Sequence, residues 1–139
     1  MPPRVFVDTS AWVAAQIGPE DVAEAISGLL EDRAERLVTS AHVLTETWSL
    51  LAVRAGPALA RAVVLDVSAS ASVLHGDAEA HQDALGIMRL WADQAFSYAD
   101  ATSFALMIRQ RIDTAVTLDQ HFRVFRHGRD RREAFHVLP

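Results

Sequence analysis

Apolar and polar residues are distributed along the chain in two recurring patterns. Short apolar runs rich in β-branched residues, bounded by Pro, Gly or Asp, are typical of buried strands. Longer segments that repeat an apolar residue every three or four positions are typical of amphipathic helices. The predicted strands are 4–7, 37–39, 72–75, 114–117 and 135–138. The predicted helices are 11–16, 20–33, 41–54, 58–65, 78–92 and 97–111, followed by a short helical turn at 119–125.

The alternation of strands and helices indicates the fold class. Strands connected through helices normally form a parallel sheet that the helices cover. We therefore predict an α/β fold, with a central parallel sheet of about four to five strands and helices on both faces. A length of 139 residues, without internal repeats or linkers, suits one compact domain spanning 1–139.

The lengths of the apolar runs bear on location. No segment approaches the roughly 18 consecutive apolar residues of a membrane-spanning helix. The apolar run 5–7 near the N-terminus is also shorter than a signal peptide requires. We therefore expect a cytoplasmic protein that is not associated with a membrane. The chain has no cysteine, which excludes disulfides, zinc–thiolate sites and cysteine nucleophiles.

Four acidic residues form a candidate site in this arrangement. Asp8 directly follows the first predicted strand, and Asp119 lies two residues beyond the fourth. Glu46 lies two turns into the helix after the second strand, and Asp100 lies in the first turn of the helix before the fourth strand. In an open parallel sheet, functional groups gather beyond the carboxyl ends of the strands. We therefore expect the four carboxylates to surround one point.

Such a cluster of carboxylates favours a bound divalent cation. Each like-charged neighbour makes ionisation of the next carboxyl more costly, and so does its removal from water. Mg²⁺ and Mn²⁺ prefer oxygen ligands, and such a site can activate water and neutralise charge on a phosphodiester. Each acid also has a structural alternative: Asp8, Asp100 and Asp119 could cap helices, and Glu46 could lie on a solvated helix face.

Charge is unevenly distributed along the chain. The formal net charge is −5, and all 13 basic residues are Arg. Residues 1–103 contain six Arg and fourteen acidic residues, whereas residues 104–139 contain seven Arg and four acidic residues. Arg123 and Arg126 follow Asp119 closely enough to flank the candidate site and to contact a phosphate backbone there. A solvated basic surface is the alternative interpretation.

Four segments resemble the acidic motifs of the PIN-domain family, and within it those of the VapC-type toxins of toxin–antitoxin pairs. They occur in the family's order and spacing and span essentially the whole chain. The segments are 5–11 (VFVDTSA), 39–46 (TSAHVLTE), 97–101 (SYADA) and 117–122 (TLDQHF).

This resemblance implies a PIN-like fold and a Mg²⁺- or Mn²⁺-dependent endoribonuclease. A metal-activated water would attack the RNA phosphodiester and leave a 5′-phosphate and a 3′-hydroxyl. The resemblance also implies an antitoxin partner and a homodimer. The residues it assigns to catalysis and metal binding are Asp8, Glu46, Asp100 and Asp119, and those it assigns to orienting the carboxylates are Thr9, Ser10 and Thr117.

Other functions remain open at this stage. A PIN nuclease that processes RNA without being a toxin and a catalytically silent PIN-like module that binds RNA or protein fit the same segments. A phosphoacceptor receiver domain needs a Lys, which the chain lacks, and a P-loop hydrolase needs a Gly-rich phosphate loop, which is also missing. His42 and His121 lie near the acidic motifs, but a surface or packing role is the more common one for such histidines.

Overall fold

The computed structural model describes residues 2–139. Its strands are β1 (Val5–Val7), β2 (Leu37–Ser40), β3 (Ser72–Leu74), β4 (Thr114–Val116), β5 (Arg126–His127), β6 (Glu133–Ala134) and β7 (His136–Leu138). Its helices are α1 (Thr9–Ile17), α2 (Glu20–Glu31), α3 (Ala41–Ala55), α4 (Pro57–Ser70), α5 (Ala78–Leu90), α6 (Tyr98–Gln110) and α7 (His121–Val124). None of the helices within 2–139 has both the length and the apolarity needed to cross a membrane.

Five strands form the central sheet in the order β3-β2-β1-β4-β7, and all neighbouring pairs are parallel. This confirms the predicted parallel α/β sheet. From β1 the chain moves to one side through β2 and β3, and then crosses to the other side for β4 and β7. The strand order therefore reverses beside β1, and α/β proteins bind ligands in the crevice at such a point.

Several boundaries differ from the sequence-based predictions. Helix α1 begins at Thr9 rather than at residue 11, directly after β1. Helix α4 continues to Ser70, five residues beyond its predicted end, because Val67 is buried and extends its apolar stripe. The antiparallel pair β5–β6 was not predicted, since strands of two exposed or half-buried residues have no apolar pattern.

Aromatic side chains fill the space between α6, α7 and the C-terminal segment. Phe104 on α6 is fully buried and stacks on Phe125, with 4.4 Å between ring centroids and 9° between ring planes. Phe122 and Phe96 meet Phe104 edge to face at 5.0 and 5.2 Å. Because Asp100 lies one helical turn before Phe104 and Asp119 lies just before α7, this packing fixes the backbone that carries two of the candidate acids.

Candidate active site

Asp8 is buried, with only 7% of its surface exposed, at the carboxyl end of the central strand β1. It precedes α1 in the N-cap position, but its side chain makes no capping hydrogen bond. The alternative interpretation, in which the Asp8 side chain caps α1, is therefore wrong. Burial raises the pKa of the Asp8 carboxyl, although nearby hydrogen bonds partly oppose that rise.

Two hydroxyl groups hold the Asp8 carboxylate. Ser10 Oγ and Thr117 Oγ1 lie 3.1 and 3.0 Å from the same oxygen, Asp8 Oδ2. The hydroxyls also accept hydrogen bonds, Ser10 from the backbone N–H of Leu118 at 2.9 Å and Thr117 from that of Asp119 at 3.0 Å. The two hydroxyl oxygens also lie 3.1 Å apart, so the single proton of each hydroxyl has Asp8 and the other hydroxyl as acceptors within reach. The β4–α7 loop and the start of α1 are thereby joined across the carboxylate.

Glu46 approaches Asp8 from α3. Thr9 Oγ1 lies 3.3 Å from Glu46 Oε1 and 3.4 Å from the carbonyl oxygen of Val43, so one hydroxyl proton is shared between two acceptors. Burial raises the pKa of the Glu46 carboxyl, and the negative charges of Asp8, Asp100 and Asp119 raise it further. All four acids are therefore close enough to interact electrostatically.

Asp100 has a structural role as well as its place in the cluster. Its Oδ2 accepts a hydrogen bond from the backbone N–H of Ser97 at 2.9 Å, while Ser97 Oγ accepts one from the Asp100 N–H at 3.0 Å. This reciprocal capping box begins α6. The same Oδ2 lies 2.7 Å from His121 Nδ1. The alternative in which Asp100 caps a helix is thus confirmed. The cap holds the Asp100 side chain toward His121 and so keeps it within the cluster of acids.

His121 connects Asp100 to Asp119. Its Nδ1 lies 3.6 Å from Asp119 Oδ1, and its backbone N–H donates to that same oxygen at 2.9 Å. With Asp100 ionised, Nδ1 is the donor in this contact, because a carboxylate only accepts. Within residues 2–139, Asp100, Asp119 and His121 also offer ligand atoms within 4.8 Å of one another, as a metal site requires.

The sequence-based interpretation of His121 as a surface or packing residue was incomplete. The ring does pack edge-on against Phe96, at 5.3 Å between centroids, but its polar edge faces the two carboxylates. Its position two residues after Asp119 in the fourth motif was the only sequence signal. His42 does pack, against Tyr98, and its Nδ1 is buried without a hydrogen-bond partner among the described residues.

The two candidate RNA-binding arginines make local contacts. Arg123 Nη2 donates to the carbonyl oxygen of Pro139 at 2.7 Å. Arg126 Nη1 donates to the carbonyl oxygens of Arg123, Val124 and Phe125 at the end of α7, at 2.6, 3.2 and 2.9 Å. Arg126 therefore stabilises this helix end, whereas Arg123 remains exposed.

The composition of the site fits a hard divalent cation. The set of possible ligand atoms within 4.8 Å of one another contains the carboxylates of Asp100 and Asp119 with His121, but not Asp8 or Glu46. Burial raises the pKa values of Asp8 and Glu46, and repulsion between the acids adds to this rise, which a cation would offset. The hydroxyls of Thr9, Ser10 and Thr117 bond to the carboxylates and leave further oxygen lone pairs free.

Comparisons with known proteins identify relatives along most of the chain. A model of the PIN domain family matches residues 5–128. The 23S rRNA-specific endonuclease VapC20 of Mycobacterium tuberculosis is 33% identical over 119 residues, which span 85% of this chain and 91% of that protein. Ribonuclease VapC26 of the same species is 34% identical over 125 residues, which span 88% and 92%.

Solved structures share the fold. The crystal structure of Mycobacterium tuberculosis VapC20 has a TM-score of 0.76 at 32% identity and covers 84% of this chain and 90% of that chain. The DNA-bound VapBC of Salmonella typhimurium contains a chain with a TM-score of 0.68, covering 99% and 98%, but at 16% identity it shows the fold alone. The chain therefore belongs to the PIN domain family, on its VapC-type ribonuclease branch.

Proposed function

We propose that this protein is a Mg²⁺- or Mn²⁺-dependent endoribonuclease and the toxin of a toxin–antitoxin pair. The observation that carries the proposal is the pair of hydrogen-bonded networks at one sheet edge: Asp8 with Ser10 and Thr117, and Asp100 with His121 and Asp119. Thr117 joins them, because its hydroxyl donates to Asp8 and accepts from the Asp119 backbone.

Each part of the site has a separate task in this reaction. Asp8, Glu46, Asp100 and Asp119 would hold the cation, which supplies an activated water and neutralises charge on the phosphodiester. Thr9, Ser10 and Thr117 keep two carboxylate oxygens, Glu46 Oε1 and Asp8 Oδ2, in fixed directions, so little reorganisation is needed when RNA binds. His121 keeps Asp100 and Asp119 at a constant separation.

The test is cleavage of RNA by the purified protein with Mg²⁺, with Mn²⁺ or with a chelator. We expect cleavage only with a divalent cation, and products with a 5′-phosphate and a 3′-hydroxyl. The variants Asp8→Asn and Asp119→Asn should lose this cleavage. Asp113→Asn is the matched control, because Asp113 is exposed and lies before β4, at the opposite sheet edge. Cleavage that persists in the chelator or in Asp8→Asn would contradict the proposal.

Ribosomal RNA is the substrate class that the relatives favour. VapC20, which is 33% identical to this chain, is named for an activity on 23S rRNA. Primer extension on ribosomal RNA after incubation with the protein would locate a cleavage site. Uniform degradation without a preferred position would instead favour a nuclease without this specificity.

An antitoxin would find a suitable groove beside the acids. A cavity of about 490 Å³ starts at Ser10 and Leu118 and continues over the apolar side chains of Val13, Ile17 and Leu50. An apolar segment lying there, with a basic residue at its end, would cover the groove and neutralise the carboxylates. Co-purification of the product of an adjacent gene, with loss of cleavage in the complex, would support this partner.

The remaining features of the proposal concern the whole protein. We propose a cytoplasmic homodimer in which residues 1–139 act as one nuclease domain. Several large apolar side chains on α3 and α4 support association, since Trp48, Val53 and Leu65 are 45%, 87% and 63% exposed. Sedimentation of the purified protein should give a dimer at micromolar concentration, and a monomer would contradict this part of the proposal.

A further inference from the structure

Three aromatic side chains meet at the sheet edge that carries the acids, and the roles described above use none of them. His42, His81 and Tyr98 form this aromatic cluster. The ring centroids of His42 and Tyr98 lie 5.6 Å apart, and those of His81 and Tyr98 lie 5.7 Å apart. Tyr98, the only tyrosine of the chain, is therefore the central ring.

The fold brings the aromatic cluster to the same sheet edge as the acids. Each of its residues lies in the first turn of a helix: His42 in α3, His81 in α5 and Tyr98 in α6. Glu46 follows His42 by one helical turn, which puts the two side chains on the same face of α3. Asp100 follows Tyr98 within the first turn of α6. The rings thus lie at the sheet edge where a phosphodiester would be cleaved.

The central ring is held in place and yet accessible. Tyr98 is 37% exposed, and its hydroxyl lies 2.8 Å from His81 Nδ1. The interplanar angles with His42 and His81 are 61° and 62°, so neither histidine covers the tyrosine by parallel stacking. A ring that is already oriented loses little conformational freedom when a flat ligand packs against it.

His42 supports the cluster through its ring rather than through a hydrogen bond. Its Nδ1 has no partner among the described residues, whereas the ring contacts Tyr98. A Cβ added at Gly76 would lie 3.5 Å from His42 Cε1 and 4.0 Å from Thr102 Cγ2. The loop before α5 therefore closes against the histidine ring and keeps it beside Tyr98.

We propose that the aromatic cluster is a stacking site for one nucleobase of the RNA, next to the nucleotide whose phosphate is cleaved. This inference rests on the proposed ribonuclease function and adds to it a residue that positions the substrate. Bases stack on aromatic side chains with little dependence on their identity. Acidic side chains repel the phosphates nearby, so an uncharged contact at this edge holds the substrate without adding to that repulsion.

The test combines protein variants with altered RNA in a double-mutant cycle. The probe is a short RNA hairpin that contains the cleavage site mapped in ribosomal RNA, with one abasic nucleotide at each position around that site. The variants are Tyr98→Leu, which removes the ring, Tyr98→Phe, which keeps it, and His81→Ala. Affinity is measured with Ca²⁺ in place of the catalytic cation, and cleavage is measured separately as KM and kcat.

We expect one abasic position to weaken binding by wild type about 5- to 100-fold, the range of a single base–aromatic stack. Tyr98→Leu should weaken binding of the intact hairpin by a similar factor and raise KM more than it lowers kcat. Tyr98→Leu should bind the hairpin with that abasic position as tightly as it binds the intact hairpin, whereas Tyr98→Phe should retain the wild-type penalty. His81→Ala should show a smaller abasic penalty than wild type, and this variant provides the same test if Tyr98→Leu does not fold.

The control variant is His136→Leu, which removes an exposed ring at the start of β7, at the opposite edge of the sheet. Its abasic penalties should match those of wild type. If wild type cleaves the RNA but Tyr98→Leu keeps the wild-type abasic penalties, only the stacking inference is overturned. Where Tyr98→Leu does not fold, the same result in His81→Ala overturns it. A wild-type protein that neither binds nor cleaves the hairpin would overturn the proposed function as well.

Discussion

Two carboxyl groups in the site are kept in surroundings that oppose their ionisation. Burial raises the pKa values of Asp8 and Glu46, while the unfolded chain ionises each of them near pH 4. The folded protein therefore binds more protons than the unfolded chain above pH 4. Its free energy of unfolding consequently falls as the pH rises from about 4 through the raised pKa values.

We predict that Asp8→Asn and Glu46→Gln make the cation-free protein more stable at pH 7, because each replaces a charge that is costly to keep in the folded state. The Tm should rise by several degrees in Asp8→Asn, given that about 1 kcal/mol shifts the Tm of such a domain by roughly 4 °C. It should rise by less in Glu46→Gln, because Glu46 is exposed and solvent screens its charge. Thermal unfolding with a chelator, between pH 3.5 and pH 8, measures the effect. The difference from wild type should shrink toward pH 3.5, and an equal difference at every pH would contradict the electrostatic explanation.

The hydroxyl of Thr117 has a predictable effect on the Asp8 carboxylate. Thr117→Val keeps the side-chain shape but removes one hydrogen bond to Asp8 and one acceptor for the Asp119 N–H. We expect a loss of about 10- to 100-fold in activity or cation affinity, the usual cost of removing a group that orients a metal ligand. Thr114→Val, at the start of the strand that Thr117 follows, should have wild-type activity. Equal activities of the two variants in a cleavage assay would show that Thr117 does not orient Asp8.

At the scale of secondary-structure elements, the first turn of α6 couples stability to the site. Ser97 caps this helix in a reciprocal arrangement with Asp100. We predict that Ser97→Ala lowers the free energy of unfolding by about 1 kcal/mol, as the loss of an N-cap does, and also reduces cleavage. Both effects arise because the cap fixes the turn that carries Asp100.

Asp77 provides a comparison for this helix cap. It caps α5 through the Ala80 N–H in the same geometry, but α5 carries none of the candidate acids. Asp77→Ala should therefore destabilise the protein in urea unfolding without the corresponding loss in kcat. If Ser97→Ala and Asp77→Ala reduce kcat equally, the effect of Ser97 on cleavage is only a consequence of stability.

For the whole molecule, the uneven charge distribution predicts how RNA affinity depends on salt. Arg123 is exposed just beyond Asp119 and His121, whereas Arg4 precedes β1 at the opposite edge of the sheet. We predict that Arg123→Gln reduces the slope of log affinity against log salt by about 0.7, the value for one phosphate contact on a single strand. Binding of short RNA by an Asp8→Asn background, across a salt series, measures the slope.

Two further variants define what this experiment shows. Arg4→Gln should leave the slope unchanged. Arg126→Gln should lower the Tm as well as the slope, because the guanidinium also binds the carbonyl oxygens at the end of α7. An unchanged slope in both Arg123→Gln and Arg126→Gln would show that these arginines are only part of the solvated surface.

The sequence alone determined the strands of the central sheet, the helices and the segments that carry the four acids. These features are local: apolar spacing reports which face of an element is buried, and Ser40 and Ser97 mark helix starts through bonds to residues three positions away. Because a parallel sheet aligns the carboxyl ends of its strands, the convergence of Asp8 and Asp119 also followed from the order of the elements. The roles of these acids as metal ligands stay predictions.

Only the tertiary structure decided the contacts that connect distant segments. Ser10 meets Thr117 across 107 positions, and His121 meets Asp100 across 21, without any periodic signal that could announce either pair. The meeting of His42 with Tyr98 depends in the same way on how α3 packs against α6. Sequence periodicity records burial along one element, whereas such pairs depend on the relative position of elements, which the packing of the whole core fixes.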